Sequence, residues 1–164
     1  MKTGLMLLAL MMLCPSDGIW DNERPQMLDI AVGGFDGPSY SVTLTNGVLA
    51  YRSGGSMSLL LETKPEIVSP TDSEWRAFRT SLDQIGVWNW KTNYVDPNVL
   101  DGTEWHVIVK YGSKAVESEG ANAYPHGKGA DPGPAFKKLL TAVSKLLSER
   151  EFKCWSNLRP EGTH

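Results

Sequence analysis

The order of hydrophobic and polar residues predicts two β-hairpins, one in each half of the chain. In the first half, apolar residues occupy every second position of a strand-like run, at Tyr40, Val42 and Leu44. Asn46-Gly47 follows, and this pair favours a tight hairpin because both turn residues need positive φ. In the second half the same alternation recurs, at Trp105, Val107, Val109 and Tyr111. Such alternation is typical of strands with one buried face.

A run of helical periodicity follows each hairpin. Thr71 and Glu74 have the spacing of a capping box, and Gly86 supplies a stop signal. Between them, apolar residues recur every three or four positions, at Trp75, Phe78, Leu82 and Ile85. A second helix is predicted to start near Pro134, because proline is favoured in the first helical turn. Its apolar stripe consists of Phe136, Leu139, Leu140, Val143, Leu146 and Leu147.

Three shorter segments also have strand-like composition, at residues 27–32, 57–63 and 87–90. A hairpin and an amphipathic helix can each bury an apolar face only against another element, so the two hairpins are expected to join in one sheet. The predicted fold class is therefore α+β. We expect an antiparallel sheet of about five to seven strands, made of two pseudo-repeated strand–turn–strand–helix units, with two helices packed on one face.

The N-terminal segment predicts export. Lys2 precedes an apolar run at residues 4–13, which is typical of a secretory signal peptide and short for a membrane span. We therefore expect a signal peptide at residues 1–18, a tether at 19–26, a single α+β domain at 27–152 and a C-terminal tail at 153–164. The predicted location is the periplasm, the cell envelope or the extracellular space. The alternative for the apolar run is a buried N-terminal helix.

Charge and cysteine content exclude several classes of protein. The formal net charge is -3 at pH 7, which argues against a nucleic-acid partner because phosphate binding needs a basic surface. Without the predicted leader only Cys154 remains, which excludes a disulfide scaffold and a cysteine-based zinc site. No ligand-spaced histidine motif is present, so no metal and no cofactor is predicted. Membrane contact is expected only through the leader or through lipidation at Cys14, although Leu13 stands where a lipobox has a small residue.

A set of spaced motifs lies within residues 38–147. They are Leu82-x-x-Ile85-Gly86-Val87-Trp88-x-Trp90, Tyr94, Asp101-Gly102-Thr103-x-Trp105, Gly120-x-Asn122-Ala123-Tyr124-Pro125 and Phe136-x-x-Leu139-Leu140. This combination resembles an uncharacterised family of bacterial exported proteins and lipoproteins. The resemblance implies an exported domain and supplies no activity. The chain departs from the family pattern in an insertion at residues 126–133, before the last helix.

The segment between the two predicted halves contains more aromatic and polar residues than a hydrophobic core requires. From the loops at residues 90–105 and 122–126 we predict a binding surface formed by Trp90, Tyr94, Asp101, Trp105, Asn122, Tyr124 and His126. Aromatic rings with a few polar groups suit a protein, a peptide or a glycan. The predicted function is therefore a non-enzymatic binding module of the cell envelope.

Two other interpretations stay open. In the first, Asp101 and His126 serve an envelope hydrolase, although the chain has no Gly-x-Ser-x-Gly nucleophile elbow. In the second, the domain is purely structural and its aromatic residues all belong to the core. Aspartate before glycine usually caps a turn, and Asn122 is expected to hydrogen-bond a neighbouring loop. By strand alternation, His106 is expected to be exposed on the face opposite Trp105.

Overall fold

The computed structural model describes residues 24–35, 37–98, 102–129 and 131–154. The predicted signal peptide, Cys14 and Asp101 lie outside these residues. Within them the chain forms a mixed α+β structure with a seven-stranded sheet and three α-helices. The predicted fold class is confirmed at this level.

Seven strands and three α-helices follow one another along the described chain. The strands are β1 (Met27–Gly34), β2 (Ser39–Thr45), β3 (Val48–Gly54), β4 (Glu66–Val68), β5 (Asn93–Val95), β6 (Thr103–Tyr111) and β7 (Lys114–Ala121). The α-helices are α1 (Met57–Leu60), α2 (Asp72–Ile85) and α3 (Gly133–Leu146). The order of these elements along the chain is β1-β2-β3-α1-β4-α2-β5-β6-β7-α3. A 3-10 helix (Val87–Asn89) follows α2.

The strands form one sheet in the order β4-β3-β2-β1-β6-β7-β5. The central strand β1 therefore lies between two hairpins, β2–β3 and β6–β7. All neighbours pair antiparallel except β5, which pairs with β7 in parallel. The expectation of a wholly antiparallel sheet is therefore wrong at this edge. The chain reverses direction between β5 and β6, so β5 runs in the same direction as β7, beside which it lies.

Alternate residues of the strands enter the hydrophobic core. In β6, Trp105 and Val107 are buried, whereas His106 between them is only partly covered. Both predicted helical stripes belong to the same core, and the two helices contact each other. Leu82 of α2 and Leu140 of α3 are buried, as the helical periodicity predicts.

The ends of α2 follow the predicted signals. The Thr71 hydroxyl accepts a hydrogen bond from the Glu74 backbone N–H, and the Glu74 carboxylate accepts one from the Thr71 N–H at 2.7 Å. This capping box satisfies amides that have no partner within the helix. Gly86 ends the helix with φ 74°, in the left-handed region.

Two predicted strands are helical instead. Residues 57–63 contain α1, in which Leu60 is the buried residue. Residues 87–90 contain the 3-10 helix, closed by a hydrogen bond from the Trp90 N–H to the Val87 carbonyl at 3.0 Å. Both predictions were wrong because apolar runs this short look alike in a strand and in a helical turn.

The packed part of the chain extends slightly beyond residues 27–152. The Gln26 N–H donates to the Lys110 carbonyl at 2.8 Å, next to β1. After α3, Phe152 and Cys154 are buried in the core. These contacts attach both ends of the described chain to the sheet.

Candidate functional site

The aromatic residues of the predicted surface converge, and Trp105 lies at their centre. Its ring centroid is 4.8 Å from that of Phe136, 5.8 Å from that of Tyr94, and 6.2 Å from those of Trp90 and Tyr124. We call these five residues the Trp105 cluster. Trp90, Trp105 and Tyr124 are buried, and Tyr94 is half-buried. Most of this aromatic surface therefore packs inside the protein.

Asn122 links the two motifs that flank the Trp105 cluster. Its side-chain oxygen accepts a hydrogen bond from the Thr103 N–H at 2.9 Å, and the residue is buried with φ 56°. Asparagine tolerates this left-handed backbone better than most residues. The Trp105 indole N–H donates to the Ala123 carbonyl at 2.9 Å, close to the same bend. The sequence predicts a hydrogen bond from Asn122 to a neighbouring loop; the donor to its side chain in the structure is instead Thr103, the first residue of β6.

Cys154 closes the buried side of this region. Its sulfur lies 3.3 Å from the Tyr124 hydroxyl and 3.7 Å from the Thr103 hydroxyl. Burial, followed by the neighbouring thiol, raises the pKa of the Tyr124 phenol above its ordinary value. The phenol is therefore neutral at ordinary pH and connects the chain after α3 to the sheet.

Of the remaining two predicted site residues, only His126 is described, and it is not part of this arrangement. His126 is exposed in a turn with φ 57°. Asp101 lies outside the described residues, so its proposed pairing with His126 stays a prediction. The burial of Trp90, Trp105 and Tyr124 favours the structural interpretation of those rings, and their use as a binding surface also stays a prediction.

A second surface lies on the face of the sheet opposite the core. It is formed by the strand residues that alternate with the core-facing residues. One row of paired residues crosses six strands there, at Arg52, Ser41, Ala31, His106, Glu119 and Asn93. These residues line a cavity of about 540 Å³, which we call the open-face groove. Met57, Leu60 and Leu61 form one wall, and Val95 of β5 lies at the opposite wall.

An acidic and a basic side chain meet in this groove. The Asp29 carboxylate lies 3.3 Å from His106 Nε2 and accepts a hydrogen bond from the Thr43 hydroxyl at 3.2 Å. His106 Nε2 is close enough to the carboxylate for an ion pair, but the geometry between the two groups is not that of a good hydrogen bond. The interaction with His106 is the main cause that lowers the pKa of Asp29, and partial burial opposes it. Asp29 is therefore ionised in the folded protein at neutral pH.

Charges of opposite sign lie at the two ends of the open-face groove. At the β3 end, Arg52 Nε donates to the Thr63 carbonyl at 3.1 Å. At the β7 end, Glu104 and Glu119 are exposed. None of these three charged residues forms an ion pair within the described chain. The groove therefore offers a cation at one end and two carboxylates at the other.

Sequence reasoning missed the open-face groove. Alternation correctly placed His106 on the face opposite Trp105, but the histidine is half-buried beside Asp29 and not fully exposed. Asp29 and His106 are far apart in sequence, and only the pairing of β1 with β6 brings them together. No local motif could have indicated this contact.

The described residues contain no group of three or more histidine, cysteine or acidic side chains suited to a metal ion. No helix in the described ranges is both long and apolar enough to cross a membrane. Comparison of the chain with family models, curated proteins and solved structures found no match.

Replacing Gly120 by alanine is expected to destabilise the fold. A methyl group at this position would lie 2.5 Å from Cε2 and Nε1 of Trp105, which itself is fixed by Phe136 and Ala123. Overpacking of this kind typically costs about 1–3 kcal/mol of unfolding free energy. Urea denaturation of Gly120→Ala measures the loss. Gly55→Ala is the control, because a methyl group there meets no atom within 4 Å. Equal midpoints for the two variants would contradict the prediction.

Asp29→Asn is expected to reduce the acid sensitivity of the fold. The folded state lowers the pKa of Asp29 from its ordinary 3.8, so ionised Asp29 contributes stability above that pH and loses it as pH falls through the folded pKa. The free-energy difference between wild type and variant should therefore shrink between about pH 6 and about pH 2. Urea unfolding across this range measures it, with Glu117→Gln as a control on the same face. Parallel curves for wild type and Asp29→Asn would show that the pair has no such role.

Proposed function

We propose that this protein is an exported, non-enzymatic binding module for a protein, peptide or glycan of the cell envelope, and that it holds its ligand in the open-face groove. The observation that carries the proposal is the row of mostly polar and charged residues in the groove. Packing of the hydrophobic core does not require these residues. The groove volume of about 540 Å³ is typical of ligand sites, which mostly span about 300–1,000 Å³.

The composition of the open-face groove supports recognition more than catalysis. Small and polar residues form its floor, apolar side chains from α1 form one wall, and unpaired charges lie at its ends. Such a mixture supplies apolar contact together with a few directional polar groups. The hydrolase alternative through Asp101 and His126 has less support, because His126 is exposed in a turn outside this groove.

The loop surface at residues 90–105 and 122–126 is a second proposal for the binding site. Among its described members, Tyr94 and His126 keep solvent exposure. Because Trp90, Trp105 and Tyr124 are buried, a ligand there would not contact the faces of these three rings. The open-face groove is the better supported of the two surfaces.

We also propose that the domain arose from two related units. Two arrangements support this: the β2–β3 and β6–β7 hairpins flank β1 on opposite sides, and each is followed in the chain by one long helix. The stripes of α2 and α3 enter one core, as two helices laid on one face of the sheet would require. If the two units are related, the backbones of the two hairpins should have the same geometry at equivalent positions.

Export is predicted to remove the N-terminal segment. Lys2 and the apolar run at residues 4–13 support a signal peptide, as does the resemblance to exported proteins and lipoproteins. Mass spectrometry of the protein after expression with an export pathway should show a new N-terminus near Ser16 or Gly18. A lipid-modified peptide beginning at Cys14 would mean anchoring, and an intact Met1 on folded cytoplasmic protein would contradict export.

Ligand binding is predicted to perturb the open-face groove selectively. The mature protein should be screened against peptides and envelope glycans, and hits mapped by amide chemical-shift changes. We expect the largest changes at Ser41, His106 and Glu119, and weaker binding for His106→Ala, because that imidazole lies in the floor of the groove. Gln84→Ala, on an exposed position of α2, is the control. Shifts confined to the loops at 90–98 and 122–126 would favour the loop surface instead.

A further inference from the structure

We propose that the ligand of the open-face groove is an extended peptide segment that crosses the strands, with an acidic group at Arg52 and a basic side chain at Glu104 and Glu119. This inference rests on the proposed function, since it names the chemistry of the ligand for the same groove. It commits to a peptide of about six residues with opposite charges at its two ends.

The length of the groove sets the length of the peptide. Arg52 on β3 and Glu119 on β7 belong to one row of paired residues, with β2, β1 and β6 between them. Neighbouring strands lie about 4.8 Å apart, so the four steps from β3 to β7 span about 19 Å. An extended peptide rises about 3.3 Å per residue and covers that distance with about six residues.

Charge complementarity sets the polarity of the peptide. Arg52 has Nε occupied by the Thr63 carbonyl, which fixes the guanidinium at the β3 end while its remaining N–H groups can bind a carboxylate. Glu104 and Glu119 lie on adjacent strands at the other end and form no ion pair within the described chain. Two nearby carboxylates without a cation suit one lysine or arginine side chain of a ligand.

The floor of the groove suits a peptide backbone. Ala31 and Ser41 are small and buried, so the chain of a ligand can approach the sheet closely between the two charged ends. The Ser41 hydroxyl is buried and has no hydrogen-bond partner in the described part of the protein. This oxygen is shielded from solvent, so the polar contacts for a peptide backbone come from the side chains of Asp29 and His106, which are 35% and 39% exposed.

The walls of the groove suit apolar side chains near the two ends of the peptide, because α1 follows β3 and Val95 lies on β5 next to β7. Leu61 is 80% exposed and Val95 is 57% exposed, and they stand on opposite sides of the floor. Met57 adds a flexible apolar contact on the α1 side. Side chains of an extended peptide alternate in direction, so those that point away from the floor could contact these walls.

A glycan fits these groups less well. The described lining has no exposed aromatic ring on which a sugar could stack, because Trp105 is buried. A neutral glycan leaves Arg52 and both glutamates without partners, and an anionic glycan repels the glutamates. Only a ligand with charges of both signs uses both ends of the groove.

The test is a charge-swap binding experiment with the mature full chain. The probes are capped six-residue peptides with lysine at one end and aspartate at the other, in both orders, and with apolar or serine residues between. We expect both orders to bind, because either chain direction can place aspartate at Arg52 and lysine at the glutamates. Binding should weaken roughly tenfold or more in Arg52→Glu and in Glu119→Lys, because each change makes a like-charge contact. Arg52→Glu should instead prefer peptides with lysine at both ends, and Glu104→Lys/Glu119→Lys should prefer aspartate at both ends.

Matched controls separate local charge from net charge. Lys110→Glu and Glu117→Lys change exposed charges on β6 and β7 outside the groove lining and should leave affinity unchanged. Circular dichroism checks folding, and Arg52→Gln is the second variant should Arg52→Glu unfold. Binding unaffected by the groove variants would overturn the inference. Glycan binding at the groove without peptide binding would overturn it and leave the proposed function intact, and no binding by peptides or glycans would overturn both.

Discussion

The packing of the Trp105 indole ring against Gly120, a position without a side chain on the neighbouring strand, underlies the whole structure. Trp105 lies across Gly120 on the neighbouring strand, and its N–H is held by the Ala123 carbonyl. This position leaves room for Phe136 to pack on the ring from α3. The same contact therefore fixes the second hairpin, the bend that follows it and the last helix. A larger residue at 120 would separate all three.

The open-face groove depends on the same register. Trp105 and His106 are neighbours on β6, so burying one ring in the core presents the other on the opposite face. A shift of β6 by one residue would exchange them, exposing the indole and burying the imidazole away from Asp29. The core thus determines which side chains the groove displays, although no core residue needs to touch a ligand.

Local signals predicted the local elements well. The Thr71–Glu74 capping box, the Asn46-Gly47 turn and the helical stripes each follow from residues close in sequence, and each is present in the structure. The parallel position of β5 and the contact of Asp29 with His106 depend on which distant strands become neighbours. Hydrophobic periodicity carries no information about such partners. It also could not distinguish a strand from the 3-10 helix at Val87–Asn89, where only three residues are involved.

The two outermost strands have a consequence for the behaviour of the protein at high concentration. β4 and β5 each contain only three residues, so the sheet ends in edges with few unpaired backbone N–H and C=O groups. Glu66 adds a charge to the first edge, where it pairs with Arg150. Long exposed edges are templates for strand addition between molecules, whereas short and charged edges discourage it. The two edge strands themselves therefore offer little backbone for strand addition, although β5 covers only residues 119–121 of β7.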